Sequence, residues 1–354
     1  MIKSLSAYYL STPWVSPLTG ATATEYTLSI YVWDGEQAAP PLQADYEITK
    51  KNHFDEVGNS RVMISRLVND FILFRPTTLT GTGVLSSDNQ VWCKTEVVYT
   101  TSNPADTGVI QNASTQLVTK GYGYGIEGDN PQLPTSGILL EGDIFRVSRS
   151  SKFTLPLLLD VAKTGTVISY PNNQINYSFS LSAVTDSSTI VKLLTVDTSD
   201  ATSDEYIEIK QGGYTITLII KEEYKYTPVD IVFINKEGAQ QSLTFFKERR
   251  ETTTVTRSQY QGKRGSYDQG YHEFIDYMVN GKDSFRVNSG YVPESQNEAF
   301  KQLILSTSVY LRNGSEYIAL NVLKNSLEYK TRLNDRLINY EFEFGYSYST
   351  IQKI

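Results

Sequence analysis

Apolar and polar residues alternate with a period of two along much of the chain, and this alternation predicts β-strands. Residues 26–33 alternate in this way and end at an Asp-Gly turn signal, while residues 177–182 alternate aromatic or aliphatic residues with serine. In 207–220 and 229–246, two such runs flank a short glycine-containing turn. Each of these two segments therefore predicts a β-hairpin.

The strongest alternation lies near the C-terminus. Six aromatic or aliphatic residues share one face of this run: Ile338, Tyr340, Phe342, Phe344, Tyr346 and Tyr348. A face this apolar must be covered, either by the same chain or by a neighbouring subunit. Tyr340, Phe342, Phe344 and Tyr346 are therefore candidate subunit-interface residues.

Helical periodicity is scarce. Ser295 to Glu298 has the S-x-x-E form of a capping box, and Phe300, Leu303 and Ile304 follow at helical spacing. We predict a short helix near 295–305 and a second one over 65–72.

These elements predict a mainly β protein made of tandem β-sandwich domains, Ig-like or jelly-roll-like, with one or two short helices. At about 150 residues per domain, the 354 residues favour two or three domains. The stretch 247–270 is polar and shows no periodicity, which favours a linker. The predicted divisions are an N-terminal β-sandwich domain at 1–150, a middle β-sandwich domain at 151–250, a basic linker at 251–264 and a C-terminal β domain at 265–354.

Composition narrows the classes of function. Lys and Arg number 32 against 39 Asp and Glu, a formal net charge of −7, which disfavours a general nucleic-acid-binding surface. One cysteine and two histidines leave no disulfide framework and few soft metal ligands. No apolar run approaches the ~20 residues that span a bilayer, and no secretory signal pattern is visible. We expect no membrane association and no cofactor.

Candidate catalytic motifs are incomplete. His272 and Glu273 begin a zinc-protease-like pattern, but Asp276 stands where the second histidine is required. Cys93 lies in an alternating run, which favours a buried, inert thiol. Glu341 and Glu343 are about 7 Å apart along a strand, compatible with a glycosidase pair. The alternation places both on the solvent face, so we predict no catalytic, cofactor-binding or metal-binding residues and no enzyme.

Charge is segregated between two segments. Residues 186–208 carry a net charge of −5 and residues 247–264 a net charge of +4. They are either two unconnected solvated loops, or complementary surfaces of adjacent subunits in a head-to-tail ring. In a third interpretation the basic stretch, with Tyr260 and Tyr267, faces DNA in a channel. The charged candidate interface residues are Arg249, Arg250, Arg257, Lys263, Arg264, Asp197, Asp200, Asp204 and Glu205.

Several segments form a recognisable pattern of turn and packing residues. They are 13–20 (PWVSPLTG), 26–35, 48–52, 65–72, 229–238, 245–246, 297–306 and 333–342. Together they resemble structural proteins of tailed phages that infect Bacteroidetes, and the crAss-like phage group in particular. The likeness touches all three predicted domains.

The resemblance implies a virion component of the tail or neck, such as a connector or tail-barrel ring, assembled in the host bacterial cytoplasm. Such a subunit forms a homo-oligomeric ring of about six or twelve copies around the DNA channel. It contacts other tail or neck structural proteins, and DNA passes without specific binding. The alternative is a host-recognition or carbohydrate-binding tail or baseplate protein, in which exposed Tyr and Trp stack on sugars. A glycan-cleaving enzyme is the third hypothesis.

Overall fold

The computed structural model describes residues 3–4, 9–12, 23–33, 39–51, 60–86, 90–101, 110–127, 133–149, 151–183, 191–200, 206–262, 270, 272–324 and 338–350. Within these ranges the protein is mainly β, with several sheets and two short α-helices, which confirms the predicted fold class. Neither of these helices has the length and apolar character needed to cross a membrane.

The strands are numbered in chain order. Those up to residue 119 are β1 (Lys3–Ser4), β2 (Tyr9–Thr12), β3 (Ala23–Trp33), β4 (Tyr46–Lys51), β5 (Ser60–Met63), β6 (Gly83–Ser86), β7 (Gln90–Thr101) and β8 (Ile110–Thr119). The next seven are β9 (Ile144–Ser148), β10 (Lys152–Leu158), β11 (Lys163–Tyr170), β12 (Gln174–Leu181), β13 (Val191–Asp197), β14 (Tyr206–Gln211) and β15 (Tyr214–Lys221). The last seven are β16 (Val229–Ile234), β17 (Gln240–Phe245), β18 (Arg250–Gln261), β19 (Phe274–Val292), β20 (Val309–Asn313), β21 (Glu316–Val322) and β22 (Ile338–Tyr346). The helices are α1 (Ser65–Asn69) and α2 (Asn297–Leu305).

The first sheet has the strand order β1-β8-β7-β3-β4. Leu28 and Ile30 on β3 are fully buried, as the alternation predicts, and they pack in one core with Val68 of α1. Helix α1 begins at Ser65 as predicted but ends at Asn69, so Phe71 lies beyond it and is exposed. β2 and β5 form a separate two-stranded sheet.

Two sheets cross the predicted boundary at residue 150. β6 is the edge of a three-stranded sheet β10-β13-β6, and β9 is the edge of a five-stranded sheet β12-β11-β14-β15-β9. The predicted hairpin at 207–220 is confirmed as β14–β15, with Gly212 at a φ of 58° in its two-residue turn. One apolar core extends from Ile138 to Phe344. The division into three domains stays a prediction, although its boundaries fall within sheets rather than between them.

The largest sheet has seven strands in the order β17-β16-β20-β21-β22-β19-β18. The predicted hairpin at 229–246 is confirmed as β16–β17. Its turn contains Gly238 at a φ of 76°, where a Cβ atom would approach the backbone nitrogens of Lys120 and Gly121 to 2.7 Å. The turn is therefore packed tightly against the segment that follows β8.

The stretch 251–264, expected as a linker, is largely a strand. β18 pairs with β19 along its whole length, with Arg250 opposite Arg286 and Gln261 opposite Phe274. Almost every residue of β18 is exposed, so neither face is selected to be apolar and no alternation marks the strand.

The prediction of a capping box at Ser295 is also wrong. Residues Glu294–Gln296 form a 3₁₀ turn, and α2 begins at Asn297 without a side-chain cap. The Glu298 carboxylate instead accepts a hydrogen bond from the Tyr124 hydroxyl. The apolar stripe is confirmed, because Phe300 and Leu303 are buried.

The apolar face of β22 is covered by this chain itself. Phe342 lies 5.7 Å from Phe245 and 5.8 Å from Phe300 between ring centroids, and Phe344 lies 5.6 Å from Phe285. The Tyr340 hydroxyl donates a 2.6 Å hydrogen bond to Asn297 of α2. Tyr340, Phe342 and Phe344 are therefore core residues, and their prediction as subunit-interface residues is corrected: β17, β19 and α2 cover the face that a neighbour was expected to cover.

We expect Phe342→Ala to lower the free energy of unfolding by about 3–5 kcal/mol, because it removes a buried ring and leaves a cavity. Urea unfolding measures the loss, and Tyr348→Ala, at a residue that is 55% exposed, serves as the control with a change within about 0.5 kcal/mol. Equal stability of the two variants would contradict the core assignment.

Cys93 is buried in the first sheet's core, as predicted, and burial raises the pKa of its thiol to about 12. Only about one thiol in ten thousand is then ionised at pH 8. We expect no labelling of the native protein by a thiol reagent at pH 8, and stoichiometric labelling in guanidinium chloride. Rapid labelling of the native chain would show that Cys93 is accessible.

Candidate functional site

A two-stranded ribbon extends from one edge of the seven-stranded sheet. β22 pairs with β19 only as far as Ser284, opposite Gly345. Beyond this point residues 253–261 and 274–283 pair only with each other in the part of the chain that the structure describes. These nine residue pairs, which we call the ribbon, correspond to roughly 30 Å.

The base of the ribbon is held by the residues that follow β22. Thr350 donates its backbone N–H to Gly281 and its hydroxyl to Asp283, at 3.2 and 2.9 Å. Thr253 also donates to Asp283, at 2.6 Å. The ribbon is thus anchored where it leaves the sheet.

Large apolar side chains are exposed along the ribbon. Phe274 is 57% exposed and Tyr277 is 64% exposed, and the other exposed apolar residues are Val255, Tyr260 and Met278. A register shift pairs Ser258 with Met278 and Gln259 with Asp276, so Tyr277 has no residue opposite it. A bulge of this kind re-aims a side chain. The outer end, residues 258–262 and 272–278, is called the tip.

The basic residues around β18 are neutralised by acids of the same chain. Arg249 contacts Glu251 at 2.6 Å, Arg250 contacts Glu248 at 2.9 Å, and Arg257 contacts Asp276 at 2.8 Å. Lys247 contacts Glu223 at 2.9 Å. The net charge counted over residues 247–264 is larger than the net charge of this surface. Glu223 and Asp276, which neutralise two of its cations, lie outside that segment of the sequence.

Of the other charged candidates, Asp197 has its partners away from the basic stretch. Asp197 lies 3.8 Å from Lys152 and accepts a 2.6 Å hydrogen bond from the Ser199 hydroxyl. Asp200 ends a 3₁₀ turn over Thr198–Asp200. Asp204, Glu205, Lys263 and Arg264 lie outside the described residues. Pairing of the two segments between subunits therefore stays a prediction.

A cleft of about 580 Å³ lies beside the base of the ribbon. We call it the base cleft. Its apolar lining includes Val229, Leu311, Ile318 and Tyr346, and its charged lining consists of Lys225, Glu248, Arg249 and Arg312. Arg249 is paired with Glu251 and Arg312 with Asp230, so Lys225 is the cleft cation that forms no ion pair with a described residue. One such cation beside an apolar floor suits an apolar group that carries a negative charge.

Arg249 is fixed at the wall of this cleft. Its guanidinium carbon lies 4.5 Å from the centroid of the Phe285 ring, and it donates a 2.6 Å hydrogen bond to the Tyr346 hydroxyl. Burial raises the pKa of Tyr346. Arg249 and Tyr346, two of the predicted interface residues, therefore lie together at this cleft.

Arg312 supports the opposite wall through a buried ionic network. Its side chain is 7% exposed and forms an ion pair with Asp230. It also donates to the Lys152 carbonyl at 2.7 Å and to the Ser151 hydroxyl at 2.9 Å, and Thr244 donates to Asp230 at 2.6 Å. The network ties β16, β17 and β20 of the large sheet to the start of β10.

Arg312→Met removes the cation beside the Asp230 carboxylate, which is only 15% exposed, so we expect the free energy of unfolding to fall by about 3 kcal/mol. Arg250→Met, whose partner Glu248 is exposed, is the control, with a change of about 0–1 kcal/mol. Chemical denaturation measures both. A loss for Arg312→Met no larger than the control would show that the network does not hold the sheets together.

The two glutamates considered for glycosidase chemistry lie on the solvent face, as predicted. Arg286 contacts Glu341 at 3.4 Å and Glu343 at 3.1 Å, and all three side chains are exposed. They line a shallow depression of about 250 Å³ with Lys324. The arrangement is a surface ion-pair cluster centred on a guanidinium.

The remaining histidine motif is a surface feature. His272 is exposed near the end of the ribbon. No group of three or more His, Cys, Asp or Glu side chains within the described ranges is placed to hold a metal ion.

The ribbon itself was missed from the sequence. The signal that could have found it is the run Thr252–Thr256, whose β-branched residues favour a strand even without alternation. The base cleft had no such signal, because its walls come from segments between residues 225 and 346.

Comparison with models of known protein families finds no matching family, and comparison with curated proteins finds no matching relative.

Proposed function

We propose that this protein is a structural subunit of a tailed-phage virion that forms a ring in the tail or neck. The subunit associates with copies of itself around the DNA channel and contacts the adjacent rings. The resemblance of several segments to structural proteins of Bacteroidetes-infecting phages supports the virion assignment. The observation that carries the self-association is the exposed ribbon.

The ribbon has the physical character of an assembly arm. A two-stranded hairpin is marginally stable by itself in water, and exposed rings such as Phe274 and Tyr277 gain free energy when another surface covers them. β18 is also the last strand of its sheet, and its outer edge has no pairing strand among the described residues. Natural proteins rarely leave a twelve-residue edge of this kind without a partner or a protective device.

The rest of the subunit can hold this arm in a fixed position. The ribbon continues β19, which pairs with β22 in the large sheet, and that sheet shares its core with β9 to β15. The net charge of −7 supports a role beside passing DNA, because phosphate contacts by Lys and Arg would hold the DNA.

Electron microscopy and mass photometry of the purified full-length chain test this proposal. We expect closed rings of one stoichiometry, and we expect an antibody against the chain to label the tail or neck of particles of the phage that encodes it. A chain that stays monomeric at about 100 μM, far above the concentration at which a stable interface of standard size dissociates, and that is absent from purified particles would overturn the proposal.

The same preparation tests the alternative of carbohydrate binding. The exposed rings of Tyr260 and Tyr277, 6.2 Å apart, are the described feature that favours sugar stacking. A monomeric chain that binds a glycan array and loses this binding in Tyr277→Ser would replace assembly by host recognition.

A further inference from the structure

We propose that the tip of the ribbon docks into the base cleft of a second copy of this chain, so that subunits associate head to tail. The inference rests on the proposed function, because it names the partner and the contact by which the subunits of the ring associate. Two surfaces of one chain support it by their chemistry, their charge and their separation.

The apolar chemistry of the two surfaces matches. The tip presents Phe274, Tyr277 and Met278 to solvent, and Leu311, Ile318 and Tyr346 line the cleft. A cavity of about 150 Å³ accommodates benzene, so a cleft of 580 Å³ has room for more than one aromatic ring. An aromatic anchor in a pocket with an apolar floor is the usual centre of a stable interface.

Each surface offers one charged group of opposite sign to the other. The described residues of the tip carry the carboxylates of Glu273 and Asp276, while Lys263 and Arg264, between the two strands, lie outside the described residues. Asp276 is paired with Arg257, whereas Glu273 accepts a hydrogen bond from the neutral side chain of Gln261. At the cleft, the Lys225 ammonium lies 5.0 Å from the Tyr226 ring centroid and interacts with the Tyr226 hydroxyl and, more weakly, with Glu248 and Glu223. It forms no close ion pair with a described residue. Glu273 of one copy and Lys225 of the next therefore form the pair that sets the register.

The separation of the two surfaces requires a second molecule. β18 begins at Arg250, directly after the cleft residue Arg249, and Tyr260 of the tip lies ten residues further along this strand, so the cleft and the tip are roughly 33 Å apart. A paired strand cannot fold back over this distance onto its own base. Because the tip and the cleft are different surfaces, their contact is heterologous and repeats from subunit to subunit, which closes into a ring when the rotation allows it.

The test uses one variant of each surface in the full-length chain. The tip variant carries Phe274→Ser and Tyr277→Ser, and the cleft variant carries Lys225→Glu and Ile318→Glu. The control variant carries Ile175→Ser and Tyr214→Ser, which are exposed apolar residues on other strands. Far-UV circular dichroism and urea unfolding verify the fold of each, and mass photometry measures association.

We expect the tip and cleft variants to associate at least 100-fold more weakly than the wild type, and the control variant to assemble normally. Mixing the tip and cleft variants should produce dimers and nothing larger, because the mixture contains one intact tip for each intact cleft. Higher oligomers of the tip variant, or a mixture that stays monomeric, would overturn the docking of the tip into the cleft. If the wild type still forms rings in that case, the proposed function stands.

A charge exchange keeps the test valid if the cleft variant does not fold. Glu273→Lys and Lys225→Glu should each weaken association at least tenfold, and the double exchange should restore it. Failure of the double exchange to restore association would overturn the Glu273–Lys225 contact. A wild-type chain that is monomeric and absent from particles would instead remove the proposed function.

Discussion

The packing of aromatic rings on the inner face of β22 is the interaction on which the rest of this structure depends. Phe342 and Phe344 contact Phe245 of β17, Phe285 of β19 and Phe300 of α2, so one set of contacts joins two ends of the sheet to the helix that covers it. These rings are fully buried, and the burial of each contributes about 1.5–3 kcal/mol. The apolar face of β22, which the sequence predicted as a subunit interface, is buried in the core of the chain.

This internal closure decides which surface is left for assembly. With β22 covered, several large apolar side chains stay exposed along the ribbon, among them Phe274, which is 57% exposed, and Tyr277, which is 64% exposed. The ribbon can project because the strand pairing between β19 and β22 stops at Ser284, while its two strands continue to satisfy each other's backbone hydrogen bonds. The point at which β22 stops pairing with β19 therefore determines both which part of the ribbon is held by the sheet and which part is exposed.

Ion pairs in this structure also join residues that are distant in sequence. Arg312 and Asp230 are 82 residues apart, and burial makes their pairing a requirement for joining β16 and β20 to β10. Arg257 and Asp276 pair across the ribbon at its surface, where such a contact is worth little for stability. The described basic residues of this stretch are thus each paired with an acid of the same chain, which is near in sequence for Arg249 and Arg250 and distant for Lys247 and Arg257. The three cations that line the base cleft come from three separate strands or loops.

The sequence by itself determined the mainly β class, the hairpins at 207–220 and 229–246, the apolar stripe of α2 and the burial of Cys93, because each depends on local alternation, turn residues or periodicity. Only the tertiary structure decided which side chains cover Phe342 and which hydroxyl donates a hydrogen bond to Glu298. It likewise decided which acids neutralise Arg249 and Arg257. It also decided that 250–261 is a strand, since a strand exposed on both faces leaves no alternation to detect. Contacts between residues distant in the chain leave no mark in a local pattern, and the base cleft is built almost entirely from such contacts.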